Sequence, residues 1–224
     1  MQKQNLGFVL RDTYRHKGMR KKMVEAIRAM GFQDEAILQV MEKLPRHFFL
    51  DEAFDEWAYE NKAFSIGYEQ TISQPYTVAF QTSLLKLSRR MKVLEVGTGS
   101  GYQAAVLASL GARVYTIERQ EGLFQKTTQL LREIGFPQIR CFLKDGYKGL
   151  PEYAPFDRIL VTAAAPEIPS ALLSQLTVGG ILVIPVGTTQ QEMTVITRIN
   201  ESKYQSEKVG IFNFVPMLPG TQSA

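Results

Sequence analysis

Three glycines at every second position, Gly97, Gly99 and Gly101, directly follow a short apolar stretch of the chain. Glycine lets the backbone turn tightly and lets a ligand approach without meeting a Cβ atom. The residues after Gly101 are typical of a helix, whose first turn presents unpaired backbone N–H groups. Glu118 ends the next apolar stretch, 21 residues after Gly97 (118 − 97), where a carboxylate can accept both hydroxyls of a ribose. Together these residues predict a nucleoside site; the alternative for Glu118 is a helix cap or a surface acid.

The glycine spacing separates two classes of nucleotide site. The dinucleotide fingerprint G-x-G-x-x-G has its third glycine one position later, where this chain has Tyr102. A tyrosine there would obstruct both helix–strand packing and a pyrophosphate, which argues against a nicotinamide-dependent dehydrogenase. The G-x-G-x-G pattern with Glu95 two residues before it instead resembles motif I of the Rossmann-like methyltransferases, which use S-adenosylmethionine.

A second motif indicates which family of these methyltransferases the chain resembles. Residues Thr71-Ile72-Ser73-Gln74-Pro75, at the start of a predicted helix, are similar to the signature loop of the protein-L-isoaspartate O-methyltransferases. The similarity continues in order over residues 15–217, with matching segments at Pro45–Phe49, Val93–Ala108, Asp157–Pro166, Leu176–Gly187 and Phe214–Met217. Two positions depart from the family pattern, because Glu69 and Lys144 stand where the family usually has small residues.

This resemblance implies an activity. The expected enzyme transfers a methyl group from S-adenosylmethionine to the free α-carboxylate of L-isoaspartyl residues, and of D-aspartyl residues, in damaged proteins and peptides. S-adenosylhomocysteine is the expected by-product, and methylation initiates repair. A carboxylate with a pKa of about 4 is already ionised at neutral pH, so the reaction needs positioning more than a general base. The sequence fits this expectation, since neither of its two histidines, His16 and His47, lies in a pattern typical of a catalytic triad.

The resemblance also implies the site residues. Ser73 would be the catalytic-site residue, with its hydroxyl bonded to the incoming carboxylate; the alternative is a cap on the following helix. The other implied substrate contacts are Thr71, Ile72, Gln74 and Val215. The implied cofactor contacts are Glu95, Gly97, Thr98, Gly99, Glu118, Arg119, Asp145 and Gly146. Four of these residues have plainer alternatives: Thr71 as a loop hydroxyl, Asp145-Gly146 as a turn and Val215 as part of a core edge strand. No metal site is expected.

The rest of the chain predicts the elements that position these residues. Apolar runs alternate with helical patterns between residues 75 and 190, which predicts an α/β fold with a doubly wound, mostly parallel sheet. Strands are predicted at 92–96, 113–118, 139–144, 156–162 and 180–186, and helices at 75–88, 102–110, 121–134 and 169–175. Two N-terminal helices, at 18–30 and 34–43, precede a loop-rich stretch over 46–75. A C-terminal antiparallel hairpin is predicted at 193–199 and 206–215. We expect one domain, with 1–75 as a substrate-side extension, 76–190 as the cofactor-binding core and 191–224 as hairpin and tail.

Composition bounds the partners and the compartment. The chain has 224 residues and a net charge of +4, and residues 1–28 carry eight basic and two acidic residues, or +6. The other residues therefore sum to about −2 (4 − 6). We interpret this basic arm as a solvated helix face and not as a nucleic-acid-binding surface, although such an arm could contact phosphate. We expect removal of residues 1–14 to leave activity intact. The lone Cys141, the lack of a signal-peptide pattern and the lack of a long apolar run predict a cytoplasmic protein without a membrane segment. We also expect a monomer, although the sequence itself does not give the oligomeric state.

Two further alternatives compete with the methyltransferase interpretation. A base-methylating RNA or DNA enzyme would need an Asn/Asp-Pro-Pro-aromatic run after the fourth core strand, where residues 162–166 read Thr-Ala-Ala-Ala-Pro. A degenerate fold acting only as a binding module would not need the acidic and hydroxyl residues Glu118, Asp145 and Ser73.

Overall fold

Nine strands and six helices make up the part of the chain that the computed structural model describes, residues 10–223. The strands are β1 (Phe64–Gly67), β2 (Gln70–Ile72), β3 (Lys92–Val96), β4 (Arg113–Glu118), β5 (Arg140–Leu143), β6 (Phe156–Val161), β7 (Leu176–Val186), β8 (Gln191–Arg198) and β9 (Tyr204–Phe212). The helices are α1 (Tyr14–Ala29), α2 (Glu35–Lys43), α3 (Pro75–Leu84), α4 (Tyr102–Ser109), α5 (Glu121–Glu133) and α6 (Ser170–Ser174).

Seven of the strands form one sheet in the order β5-β4-β3-β6-β7-β8-β9. The first five in that order are parallel, and β8 and β9 are antiparallel. Chain order runs outward from β3 through β4 to β5, and then restarts with β6 on the other side of β3. Open α/β sheets bind ligands at such a switch point, beyond the carboxyl ends of the strands. The sheet therefore confirms the predicted doubly wound fold and places its crevice after β3 and β6.

Alternating side chains of the central strands build the two apolar cores. Val93 and Leu160 belong to the larger core, which also includes residues of α1, α2, α3 and α4. Their neighbours Leu94 and Ile159 face the other core, which α6 helps to cover. Because both faces are buried, consecutive residues of these strands are apolar, at Val93–Leu94 in β3 and at Ile159–Val161 in β6.

The stretch over residues 46–75 is more regular than predicted. It contains two short 3₁₀ helices, Arg46–Phe49 and Glu52–Phe54, followed by the β1–β2 hairpin. Four other boundaries differ from the prediction by three or more residues: α1 begins at Tyr14, α3 ends at Leu84, β7 begins at Leu176, and the last strand ends at Phe212. The β6–β7 register shifts between the pairs at Phe156 and Arg158, and β7 thereby continues through two glycines that are typical of a turn.

The basic arm is partly neutralised within the molecule. Arg15 pairs with Glu56 at 3.0 Å, Arg28 pairs with Glu35 at 3.0 Å, and Arg20 pairs with an acid of the same arm at 2.9 Å. Residues 1–9 of this arm lie outside the described residues. Among the described helices, none combines the length and apolar character needed to cross a membrane.

Candidate active site

The turn between β3 and α4 is the most constrained part of the crevice. The amide groups of Gly97 and Thr98 both donate to the carbonyl of Ile117, at 2.9 and 3.0 Å. The hydroxyl of Thr162, just after β6, donates to the carbonyl of Gly97 at 2.7 Å. A Cβ atom on Gly97 would lie 2.4 Å from that hydroxyl oxygen, and the φ of Gly97 is +101°. Only glycine fits this position, so the first predicted glycine has a defined structural reason.

Glu118 closes the turn from the end of β4. Its side chain is buried, one oxygen accepts the amide of Gly99 at 2.9 Å, and the other accepts the amides of Arg119 and Gln120 at 2.8 and 2.9 Å. A carboxylate offers about four acceptor positions, so one remains after these three bonds. Glu118 also lines the crevice, and this free position can accept a hydroxyl from a ligand.

A large cleft of about 580 Å³ lies at the switch point. Its wall contains the predicted residues Thr71, Gly97, Gly99, Glu118, Arg119, Gly146 and Val215. The prediction missed Gln70, Val96, Ile117, Thr162, Ala163, Pro216, Met217 and Leu218. A Cβ on Gly146 would lie 2.5 Å from Val96, so a larger residue would have to displace the apolar wall.

A small cavity of about 330 Å³ adjoins the large cleft. Thr71, Gly97, Gly99 and Thr162 line both spaces. Three more predicted residues, Ile72, Ser73 and Thr98, line only the small cavity, together with Val78, Ser100, Tyr102 and Gln103. Ser73 therefore lies on the wall of the small cavity and Glu118 on the wall of the large cleft, and glycines of the turn line both spaces.

The helix-cap alternative for Ser73 does not fit this geometry. Gln74 is the N-cap of α3, Pro75 is its first residue, and no side chain caps the helix. Among residues 10–223, the hydroxyl of Ser73 has no hydrogen-bond partner, which leaves it available to a ligand in the small cavity. Gln74 itself lines neither space, so its predicted substrate contact lacks support from the cavity walls.

Two predicted cofactor contacts, Glu95 and Asp145, line neither the large cleft nor the small cavity. Glu95 is fully buried beneath the glycine turn and lines neither space; one of its oxygens accepts from Thr116, whose hydroxyl lies 2.7 Å from that of Thr98. Burial raises the pKa of Glu95 to about 8. The side chain of Asp145 accepts the amide of Tyr147 at 3.0 Å, capping a 3₁₀ turn. The expectation of direct ligand contact by Glu95 is therefore corrected, since its strand position points it into the interior.

Arg46 is the functional-site neighbour that sequence reasoning missed. Its guanidinium is fully buried, donates to the carbonyl of Ala58 at 2.9 Å and donates to the carbonyl of Ser73 at 2.8 Å. Burial lowers the pKa of Arg46 to about 10, so the group stays cationic at neutral pH. A sequence pattern gives no sign that a basic residue is buried; the segment Pro45–Phe49 suggested only family resemblance. Thr162, by contrast, was detectable as a hydroxyl residue at the end of a core strand.

The two histidines lie together, away from both spaces. Their rings stack with centroids 3.8 Å apart; His16 bonds to Asp55 at 3.0 Å and His47 to Tyr59 at 2.6 Å. Asp12 adds a third donor, within 4.8 Å of the histidine nitrogens, a grouping that could hold a metal ion. Both oxygens of Asp12, however, already accept from Arg20 at 2.9 Å. We assign this histidine cluster (Asp12, His16, His47, Asp55, Tyr59 and Arg20) a structural part, joining α1 to residues 46–59.

Comparison with known proteins agrees with this geometry. Residues 18–222 match the family model described as protein-L-isoaspartate(D-aspartate) O-methyltransferase. Protein-L-isoaspartate O-methyltransferases of Christiangramia forsetii and Flavobacterium psychrophilum are each 53% identical over 209 residues, covering 93% of this chain and 98% of theirs.

Solved structures show the same fold. A protein-L-isoaspartate O-methyltransferase superposes with a TM-score of 0.80 at 25% identity, covering 88% of this chain and 65% of that one. A Plasmodium falciparum structure assigned to the same enzyme type, in complex with S-adenosyl-L-homocysteine, gives 0.78 at 22% identity, covering 89% and 98%. The second likeness supports the fold alone. From the family model and the two bacterial relatives together, the chain belongs to the protein-L-isoaspartate(D-aspartate) O-methyltransferase family.

Proposed function

We propose that the large cleft holds S-adenosylmethionine and that the small cavity receives the isoaspartyl carboxylate, which Ser73 orients. The family supplies the activity: the protein is a methyltransferase that uses S-adenosylmethionine and acts on isoaspartyl residues of damaged proteins. The observation that carries the assignment of spaces is their shared wall. Thr71, Gly97, Gly99 and Thr162 line both, so ligands in the two spaces would meet at the glycine turn.

The residues of the large cleft fit the proposed methyl donor. Glu118 keeps one acceptor position for a ribose hydroxyl, and the glycine turn presents its backbone without side chains. Apolar residues Val96, Ile117 and Met217 line the same cleft and suit the faces of an adenine ring. When bound, the donor supplies an electrophilic methyl group on a cationic sulfur.

The chain's own task at the small cavity is to position an anion. An isoaspartyl carboxylate is ionised at neutral pH and needs no base, which fits a cavity whose walls include the hydroxyl residues Ser73, Thr71 and Thr162. The free hydroxyl of Ser73 donates one hydrogen bond and so fixes the rotation of the carboxylate. Such a site accelerates the reaction chiefly by holding the reacting atoms in a productive arrangement.

We also propose the finer statements about partners and compartment. The protein works as a monomer in the cytoplasm and does not bind nucleic acid. Internal pairing of Arg15 and Arg28 leaves less free positive charge on α1 for phosphate. Charged residues Glu207 and Lys208 on the sheet's outer strand β9 oppose edge-to-edge pairing.

We propose a division of labour along one domain as well. Residues 1–75 supply the substrate side through Thr71 and Ser73, and residues 76–190 supply the glycine turn and Glu118. Residues 191–224 complete the large cleft through the segment at Val215.

A matched pair of peptides tests the proposal. We expect methyl transfer to a peptide containing L-isoaspartate and none to the same peptide containing L-aspartate. Replacing Ser73→Ala should lower kcat/KM by about 10- to 100-fold while calorimetric affinity for S-adenosylhomocysteine stays unchanged. Ser174→Ala, which removes an exposed hydroxyl on α6, is the control and should behave as wild type. Equal loss of turnover and ligand affinity in Ser73→Ala would remove Ser73 from the substrate cavity.

A further inference from the structure

Arg46 carries a buried charge that lacks a counter-ion. Its side chain is fully buried, and none of the described residues forms an ion pair with it. One of its terminal nitrogens, Nη1, has no hydrogen-bond partner in the described part of the chain. A buried cation left without a partner costs several kcal/mol, so a stable fold keeps one only where something else requires it.

The contacts of Arg46 lead to the small cavity. One nitrogen donates to the carbonyl of Ser73 at 2.8 Å. The guanidinium also lies over the ring of Tyr102, 4.9 Å from its centroid, and Tyr102 begins α4 directly after the glycine turn. Ser73 and Tyr102 both line the small cavity, whereas Arg46 does not. Arg46 therefore touches two walls of the cavity from behind.

The third contact anchors this arrangement. The Nε atom of Arg46 donates to the carbonyl of Ala58, which is itself fully buried. A guanidinium is planar and presents its donors in a fixed fork, so two bonds set its orientation. The carbonyl of Ser73 lies between the end of β2 and the start of α3, where no other described backbone bond holds it.

We propose that Arg46 is a positioning residue for Ser73: it holds the main chain at Ser73 so that the hydroxyl points into the small cavity. The proposal rests on the assignment of Ser73 to the substrate carboxylate. The positive charge of Arg46, which no acidic side chain among the described residues neutralises, also favours an anion in that cavity over a neutral group. Arg46 acts through Ser73 and does not itself touch the substrate.

The test compares two buried arginines. Arg46→Met should lower kcat for an isoaspartyl peptide by about 100-fold, because a displacement of about 1 Å at a reacting group costs that much. The affinity for S-adenosylhomocysteine should stay close to wild type. Arg158→Met is the matched control: Arg158 is also buried and also donates to main-chain carbonyls, at Asp157 and Lys86, but lines neither space. It should lower the thermal midpoint without lowering kcat per folded molecule.

A double-mutant cycle separates this inference from the role of Ser73. If Arg46 acts through Ser73, Arg46→Met should reduce kcat far less in a Ser73→Ala background than in wild type. Equal reductions in both backgrounds would overturn the inference, and so would a kcat for Arg46→Met equal to that of Arg158→Met. A normal kcat for Ser73→Ala alone would instead refute the proposed function. Should Arg46→Met fail to fold, Arg46→Lys, which keeps the charge but loses the fork, must show the same coupling at a smaller loss.

Discussion

At the scale of single residues, the glycine turn rests on a buried acid that lines neither the large cleft nor the small cavity. Glu95 is fully buried, one of its oxygens accepts from Thr116, and its other oxygen has no partner among the described residues. Burial raises its pKa to about 8, so the protonated form predominates at neutral pH. The acid thereby joins Thr116 and Thr98 into one hydrogen-bonded support beneath the turn.

The raised pKa of Glu95 predicts how stability depends on pH. Because the folded-state pKa of about 8 lies above the ordinary 4.5, its stabilising contribution is complete below about pH 4.5 and is lost as pH rises through about 8. Glu95→Gln stays neutral throughout and should melt higher than wild type at pH 9 by roughly 3–10 °C, with a much smaller difference at pH 5. Calorimetric melts from pH 5 to 9 check this, with the exposed Glu25→Gln as control. A pH-independent difference would contradict the assignment.

Residue roles divide into those that a sequence can reveal and those that need coordinates. Gly97 and Glu118 were predictable because a nucleoside site demands those residue types at strand ends. Arg46 was not, because arginine is rarely fully buried and its sequence position therefore predicts an exposed side chain. Glu95 was predicted as a ligand contact because the motif contains an acid there, but β3 is covered on both faces, so its side chain is buried and lines neither the large cleft nor the small cavity.

At the scale of elements, burial decides which boundaries a sequence can predict. Strands β3 and β4 match their predicted limits, because their buried residues end at clear sequence signals, the glycine turn after Val96 and the acid Glu118. The β1–β2 hairpin was missed since its strands are only four and three residues long and its turn residues, Tyr68 and Glu69, are poor turn formers.

The hairpin turn stores strain at the position where Glu69 departs from the family pattern. Tyr68 and Glu69 have φ values of +54° and +57°, as in a type I′ turn, which favours Asn or Asp followed by Gly. A Cβ on Gly122 would lie 1.9 Å from the Tyr68 hydroxyl, so the tyrosine lies against α5. Ile66 and Thr71 of the same hairpin adjoin the glycine turn. The turn is thus held by contact with α5 despite its unfavourable residues.

Relieving this strain should stabilise the protein. A left-handed conformation costs an ordinary residue about 1–2 kcal/mol, part of which glycine's greater unfolded-state entropy offsets. Glu69→Gly should therefore raise the free energy of unfolding by about 0.5–1 kcal/mol in denaturant titrations. Glu69→Ala removes the same charge but keeps the strain, and it should give no such gain. If both variants were equally stable, charge and not backbone conformation would be the reason.

At the scale of the whole molecule, the histidine cluster connects the N-terminal helix to the segment that carries Arg46. Asp12 pairs with the buried Arg20, and the main-chain carbonyl of Arg11 bonds to both His16 and His47. His47 directly follows Arg46, which in turn holds the carbonyl of Ser73. A continuous set of contacts therefore connects the start of α1 with the wall of the small cavity, although the two lie far apart in sequence.

This connection changes the expected effect of shortening the chain. The sequence alone predicts that removing residues 1–14 leaves activity intact; the structure adds an expected loss of stability, because Thr13 caps α1 and Asp12 neutralises Arg20. Loss of both should lower the free energy of unfolding by about 2–4 kcal/mol, since a cap contributes about 1 kcal/mol and an unpaired buried cation costs more. Removing only residues 1–9 keeps both contacts and should leave the denaturation midpoint near that of the full chain.

The comparison needs point variants to identify the cause. Asp12→Ala with Thr13→Ala, in the full chain, should reproduce most of the loss seen on removing residues 1–14. Turnover per folded molecule at 25 °C, measured with the isoaspartyl peptide, should stay high in all three proteins, because the cluster lines neither the large cleft nor the small cavity. If the shorter truncation destabilised as much as the longer one, the stabilising contacts would lie in residues 1–9 and not at Asp12 and Thr13. If the double variant kept the stability of the full chain, the Thr13 cap and the Asp12–Arg20 ion pair could not be the cause of the loss seen on removing residues 1–14.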